Sequence, residues 1–203
     1  MHIPDGFLDT KTIIVTNLIS GTALYVAFRR LNRAVSPEKV PLMGVLASFA
    51  FAAQLLAFPV AAGTSAHITG AVLLAVILGP FTSLVLIAMI LLLQALLFQH
   101  GGVLTLGANL INLGLAGSLF GYVVYRIRED FLMAGVAAFL AMVAGGVCAA
   151  AELTISGRLP WKAAVISIGT AQVVTGLVEG FVTVSVLTVI QHVRPDLLEL
   201  RKI

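Results

Sequence analysis

From Ile68 to Phe98 the chain is one apolar stretch, interrupted only by Gly79-Pro80. A stretch of that length without a charged side chain belongs in the hydrocarbon of a bilayer, where about 20 apolar residues span the core as a helix. The rest of the sequence follows suit. Of 203 residues, 60% are hydrophobic and 10% charged, against the roughly 25% charged of a soluble domain. Mean hydropathy is +1.08. The chain therefore reads as an all-α, polytopic integral membrane protein of the cell membrane, one domain over residues 1–203, with no room for a separate soluble domain.

Further apolar segments run over Thr12–Phe28, Val40–Phe58, Ala108–Tyr125, Phe131–Ile155 and Ala163–Val193. Dividing Ile68–Phe98 at Gly79-Pro80 gives seven spans. The first half, Ile68–Gly79, makes only about 18 Å of helix at 1.5 Å per residue, short for a hydrocarbon core of about 30 Å. Charge justifies counting it. With seven crossings and the N-terminus outside, the cytoplasmic side receives Arg29, Arg30, Arg33, Lys39, Arg126, Arg128, Arg194, Arg201 and Lys202, and the outside only Lys11, Arg158 and Lys162. That asymmetry obeys the positive-inside rule, and a six-span count spoils it by exporting Arg126 and Arg128. A short helix is tolerated where other helices surround it. His2, His67 and His100 then share the external face, and His192 lies on the cytoplasmic side with the C-terminus.

Several function classes drop out. The net charge of +3 reflects membrane topology, and no aromatic-basic interleaving points to nucleic acid. Cys148, the single cysteine, has no partner for a disulfide or a cysteine metal pair and reads as a packing residue. Hydrolase motifs and a P-loop are missing, so the chain is not expected to be an enzyme, and any ATP-driven step needs another subunit. The opening is not a signal peptide, since Asp5 and Asp9 stand where a basic start is required. Met1 is expected to be retained, because His2 is too large to favour its removal.

A histidine at position 2 beside a free amino terminus is a chelator. The Met1 amine, the His2 amide nitrogen and a His2 ring nitrogen close fused five- and six-membered rings on one metal and leave one in-plane position open. On position alone, His2 also reads as the second residue of a frayed end. Planar nitrogen coordination suits Ni(II) or Cu(II) better than tetrahedral Zn(II). His67, in Gly63-Thr-Ser-Ala-His67, reads by itself as an interfacial polar residue at a helix start, but it shares the external face with His2 and is the candidate for the fourth nitrogen. Residues 1–11 thus form an external metal-chelating segment. His100, heading His-Gly-Gly-Val-Leu-Thr-Leu-Gly-Ala-Asn109, reads as a hydrogen-bond partner of a metal-bound imidazole in preference to an axial neighbour. Ser65, Asp5 and Asn109 are further supporting candidates.

Acids within spans suggest function. Glu152, near the outer end of its span, is placed either beside the metal pocket or at the water interface. Glu179, beside Gln172, reads as a packed, hydrogen-bonded group more readily than as a proton relay. The relay reading keeps one alternative open, a proton- or ion-coupled secondary metal transporter acting alone, although no internal repeat supports it. Small residues four apart, at Ala23/Ala27, Gly117/Gly121 and Gly176/Gly180, predict close helix packing. The Ala23/Ala27 pair is the candidate face for a partner protein.

The opening Met-His-Ile-Pro-Asp-Gly-Phe-Leu, the Gly-Thr-Ser-Ala-His67 loop and the His100–Asn109 segment resemble the NikM/CbiM family, the nickel/cobalt substrate-binding membrane subunits of energy-coupling factor transporters. The resemblance covers essentially the whole chain, with Ala66 standing where many members carry glycine. It implies a seven-helix capture subunit, one extra N-terminal helix on a six-helix core. It implies Ni(II) or Co(II) as transported ligand rather than cofactor, held by Met1, His2 and His67. The implied partners are a transmembrane coupling protein, ABC-type ATPases and a small NikN-like or CbiN-like membrane subunit. No such partner domain is expected within this chain, which ends ten residues after the last span.

Overall fold

The computed structural model describes residues 2–31, 39–59 and 65–199. Its helices are α1 (Thr10–Leu31), α2 (Val40–Leu55), α3 (Ala71–Leu78), α4 (Pro80–Phe98), α5 (Leu106–Tyr125), α6 (Phe131–Ile155), α7 (Trp161–Val193) and a final turn, α8 (Asp196–Glu199). Strands β1 (Phe58–Pro59) and β2 (Ser65–Ala66) pair antiparallel, with Phe58 opposite Ala66 and Pro59 opposite Ser65. Helices α1, α4, α5, α6 and α7 are long and apolar enough to cross a membrane, and α2 is a shorter apolar helix of 16 residues.

Apolar periodicity located these helices well, and α6 begins and ends where the sequence places it. Differences fall where side chains set the ends. Helix α2 stops at Leu55 instead of running to Phe58, and the Gln54 amide donates to the Thr69 carbonyl at 2.8 Å. Helix α3 is shorter than Ile68–Gly79 because Gly70, at φ +71°, turns the chain immediately before it. Its first seven residues, Ala71 to Ile77, are all buried, so the short helix is enclosed by the others.

Small residues make that enclosure possible. A Cβ at Gly117 would collide with the Ala71 methyl, and one at Gly121 would lie 2.5 Å from Val72 Cγ2, so α5 rests its glycine face on α3. Between Leu110 and Gly121 α5 winds in the wider i→i+5 pattern. Helices α6 and α7 meet at Gly135 and Gly180, where a Gly180 Cβ would come 2.7 Å from the Gly135 carbonyl. Both glycine pairs thus serve packing within the chain. Ala27 is likewise buried in the core, and Ala23 packs partly buried against it. Helix α1 turns Ile14, Leu18 and Tyr25 outward instead, an exterior suited to lipid.

Glu179, buried in α7, is committed to structure. Its carboxylate accepts from Thr69 N at 2.5 Å, Thr69 Oγ1 at 2.9 Å and Gly70 N at 2.8 Å. A carboxyl at the start of α3 satisfies donors that the helix cannot use. Replacing Glu179 with Leu leaves those donors unpaired in an apolar interior, and a loss of about 3–5 kcal/mol is expected. Thermal unfolding in detergent should show it, with Glu179→Gln intermediate. An unshifted midpoint for the Leu variant would contradict the capping role.

Candidate metal centre

The N-terminal residues form a strap threaded into one end of the bundle. Asp9 starts α1 by accepting from Thr12 N at 3.0 Å, the usual arrangement at a helix N-cap. Before it, Ile3 is fully buried and bonded on both sides of its peptide. Ile3 N donates to Asn109 Oδ1 at 2.7 Å. Its carbonyl accepts from Asn109 Nδ2 at 3.0 Å, Thr105 Oγ1 at 2.6 Å and Gly102 N at 3.1 Å. Asp5 accepts from the amides of Val103, Leu104 and Thr105 at 2.9–3.1 Å, holding the turn that leads into α5. Arg158 closes the strap from the other side, donating to the carbonyls of Gly6 at 2.8 Å and Phe7 at 3.2 Å. Ser156 Oγ reaches Asp9 at 3.2 Å.

This anchoring delivers His2 to His67 and His100. The His2 and His67 ring centroids are 4.6 Å apart with planes 26° from parallel, and the His100 ring lies 4.2 Å from His2 and 5.8 Å from His67. Gly101 permits the approach. It sits at φ +86°, and a Cβ there would come 3.0 Å from His2 Nδ1 and 3.1 Å from Asn109 Nδ2. Gly102 is tighter still, since any side chain would strike the Asp5 carboxylate. Helix α1 closes in through the same economy of volume. Asn17 donates to the Leu104 carbonyl at 2.8 Å, Ser20 to that of Gly107 at 2.7 Å.

The rings are set up as neutral donors. His2 is 2% and His67 1% exposed. Burial, with the neighbouring His67 ring adding to it, holds the His2 pKa well below the usual imidazole value, and burial does the same for His67. His67 Nδ1 lies 2.9 Å from the Ile68 carbonyl, which accepts its proton and puts the ring's lone pair on Nε2. Among the described residues His2 Nε2 is buried without a hydrogen-bond partner. His100 is half-buried, its pKa lowered by burial, with Nε2 3.2 Å from Ser65 Oγ.

The structure brings His2, His67 and His100 together and places the other sequence candidates as follows. Met1 lies outside the described residues, as do Gly63 and Thr64 of the His67 loop and Arg33, Arg201 and Lys202. The Ile68 carbonyl meets Nδ1 of His67, and the His100 ring packs edge-on to the His67 ring at 5.8 Å. Asp5 and Asn109 support the strap rather than a ring. Glu152 is buried against Asn112, which donates to it at 2.8 Å. His192 stands at the far end of α7, with Nδ1 2.8 Å from the Thr188 carbonyl. The sequence reading missed Arg158 and Thr105. Arg158 did carry a signal, being a cation on the side where positive charge is sparse. Among the described residues no group of three His, Cys, Asp or Glu side chains takes a metal-holding arrangement by itself.

Apolar helices around a buried, neutral imidazole cluster at one end define a multi-pass membrane protein with the donor chemistry of a transition-metal site. Over residues 2–197 the sequence matches the CbiM family, described as the cobalt uptake substrate-specific transmembrane region, and the chain belongs to that family. A protein of Archaeoglobus fulgidus, provisionally named as a fused nickel transport protein NikMN, is 35% identical over 98% of this chain and 68% of its own. The cobalt transport protein CbiM of Geobacter sulfurreducens is 33% identical over 98% of this chain and 61% of its own. A crystal structure of a transition metal transporter superposes with a TM-score of 0.89 at 31% identity, covering 95% of this chain and 93% of the other.

Proposed function

We propose that the chain captures Ni(II), or else Co(II), at an external site and delivers it for ATP-driven uptake as the substrate-specific subunit of an energy-coupling factor transporter. The observation that carries this reading is the pairing of His2 with His67. Two imidazoles at adjacent corners of one metal, with metal–nitrogen bonds of about 2.0 Å, have centroids roughly 4.4 Å apart. The observed 4.6 Å matches that spacing. The donors are the Met1 amine, the His2 amide nitrogen and Nδ1, and His67 Nε2. Among the described residues the His2 amide has no hydrogen-bond acceptor, whereas that of Ile3 is bonded, which leaves it available for deprotonation by a bound metal. A planar four-nitrogen field suits Ni(II) and low-spin Co(II) alike, and the nickel and cobalt names of the relatives fit both ions.

The topology we propose has seven crossings, N-terminus outside, with enclosed α3 as the short span and residues 1–11 as the external chelating segment of a single substrate-binding domain. Power comes from ABC-type ATPases through a coupling protein. The fused NikMN relative supports a small additional membrane subunit. The three hydrogen bonds on the Glu179 carboxylate argue against the proton-relay alternative.

Protein with an unextended N-terminus should bind one equivalent of Ni(II), with the absorption band of a square-planar complex and release of protons. An octahedral spectrum would overturn the geometry. Acid should weaken binding. The ring pKa values are lowered by burial, so protons compete for the rings only below the ordinary imidazole value of about 6.5.

A further inference from the structure

The two rings of the proposed chelate are out of reach of a hydrated ion. His2 and His67 are 2% and 1% exposed, Gly101 and Asn109 close on the His2 ring, and Ile68 occupies one nitrogen of His67. His100 differs in each respect. It is half-buried, its ring lies 4.2 Å from that of His2, and among the described residues its Nε2 meets a hydroxyl, Ser65 Oγ at 3.2 Å. None of the bonds that fasten the strap uses its ring. Those run from Ile3 and Asp5 to Asn109, Thr105 and the amides of residues 102–105.

We propose that His100 is a transient capture ligand, which takes a partly hydrated divalent ion from outside through Nε2 and hands it to His2 and His67. This rests on the metal-site reading above. The 4.2 Å between the His100 and His2 rings is close to the roughly 4.4 Å of two imidazoles sharing one ion through bonds of about 2.0 Å, so both rings hold the ion during the exchange. On capture, a metal–water bond breaks as the His100 bond forms, and the Ser65 hydroxyl releases Nε2. On transfer, the remaining metal–water bonds and the His100–metal bond break as the chelate closes, the His2 amide proton and any proton on the Met1 amine leave to water, and the Ser65 contact re-forms. No electrons are exchanged, and the ion remains divalent.

A ligand present only along the path alters rates without altering the equilibrium. Stopped-flow binding of Ni(II) in detergent should show His100→Ala slowing association and dissociation alike by about tenfold or more, with Kd within about threefold of the wild type. Ser65→Ala, which frees Nε2, should bind as fast as the wild type or faster, and it guards against a merely structural effect of altering the loop. Wild-type rates in His100→Ala would overturn the proposal. So would a Kd weakened by orders of magnitude at unchanged association, which would make His100 a ligand of the final complex. Normal wild-type binding with unaltered variant rates refutes the capture role alone, whereas wild-type protein that binds no Ni(II) refutes the metal-site reading with it.

Discussion

Adding a single residue ahead of Met1 is expected to reduce Ni(II) affinity by at least about three orders of magnitude, or roughly 4 kcal/mol. The extension turns the proposed amine donor into an amide, removing a strong σ-donor and the five-membered ring it closes. The His100 ring, 4.2 Å from that of His2, does not restore it, because a third imidazole closes no five-membered ring with the His2 amide. The strap itself should survive, since its bonds begin at Ile3 and run to Asn109, Thr105 and Gly102. The expected signature is therefore lost binding with a nearly unchanged unfolding midpoint. Calorimetric titration of two preparations, tagged at the C-terminus and differing only by that residue, reads both. Full affinity in the extended protein would remove the amine from the ligand set.

Substituting His67 with Ala should weaken binding well beyond the roughly 10–100-fold that follows loss of a mere supporting partner. The remaining amine, amide and His2 ring form an open chelate with one corner left to water. The spectrum should shift with the weaker field, and free imidazole should restore part of it by occupying the vacated space. His67→Gln, similar in polarity but without an imidazole nitrogen, should not recover affinity. If either variant kept wild-type affinity and spectrum, the fourth donor would lie elsewhere. The contrast with His100→Ala is the sharpest internal check, since two rings 5.8 Å apart are assigned opposite kinds of effect.

Much of the fold was legible because hydrophobic periodicity reports directly on lipid and core contact, as the agreement over Phe131–Ile155 shows. The grouping of His2, His67 and His100 was legible through charge asymmetry, which placed three distant residues on one side. What the sequence could not show was which polar groups answer one another. Glu179 was an acid in an apolar helix until Thr69 and Gly70 appeared beneath it, 110 and 109 positions away. Arg158 likewise meets the carbonyls of Gly6 and Phe7 at separations of 152 and 151. Backbone acceptors have no sequence signature, so such pairings are invisible to a motif. The end of α2 at Leu55 was hidden for the same reason, because the chain leaves the helix next to Gln54, whose partner is the Thr69 carbonyl.

The anchoring of the strap also sets an order in time. A ribosome makes residues 2–9 first, but their partners, Asn109 and Arg158, come more than 100 and about 150 residues later. Domains otherwise tend to fold from the N-terminus during synthesis. Here the earliest segment must wait at the membrane surface until the loop after α6 exists, then dock last, like the clasp on a strap. The proposed metal site is thus completed only by a nearly finished chain, and a truncated product carrying the whole N-terminal motif would still lack the means to hold it in place.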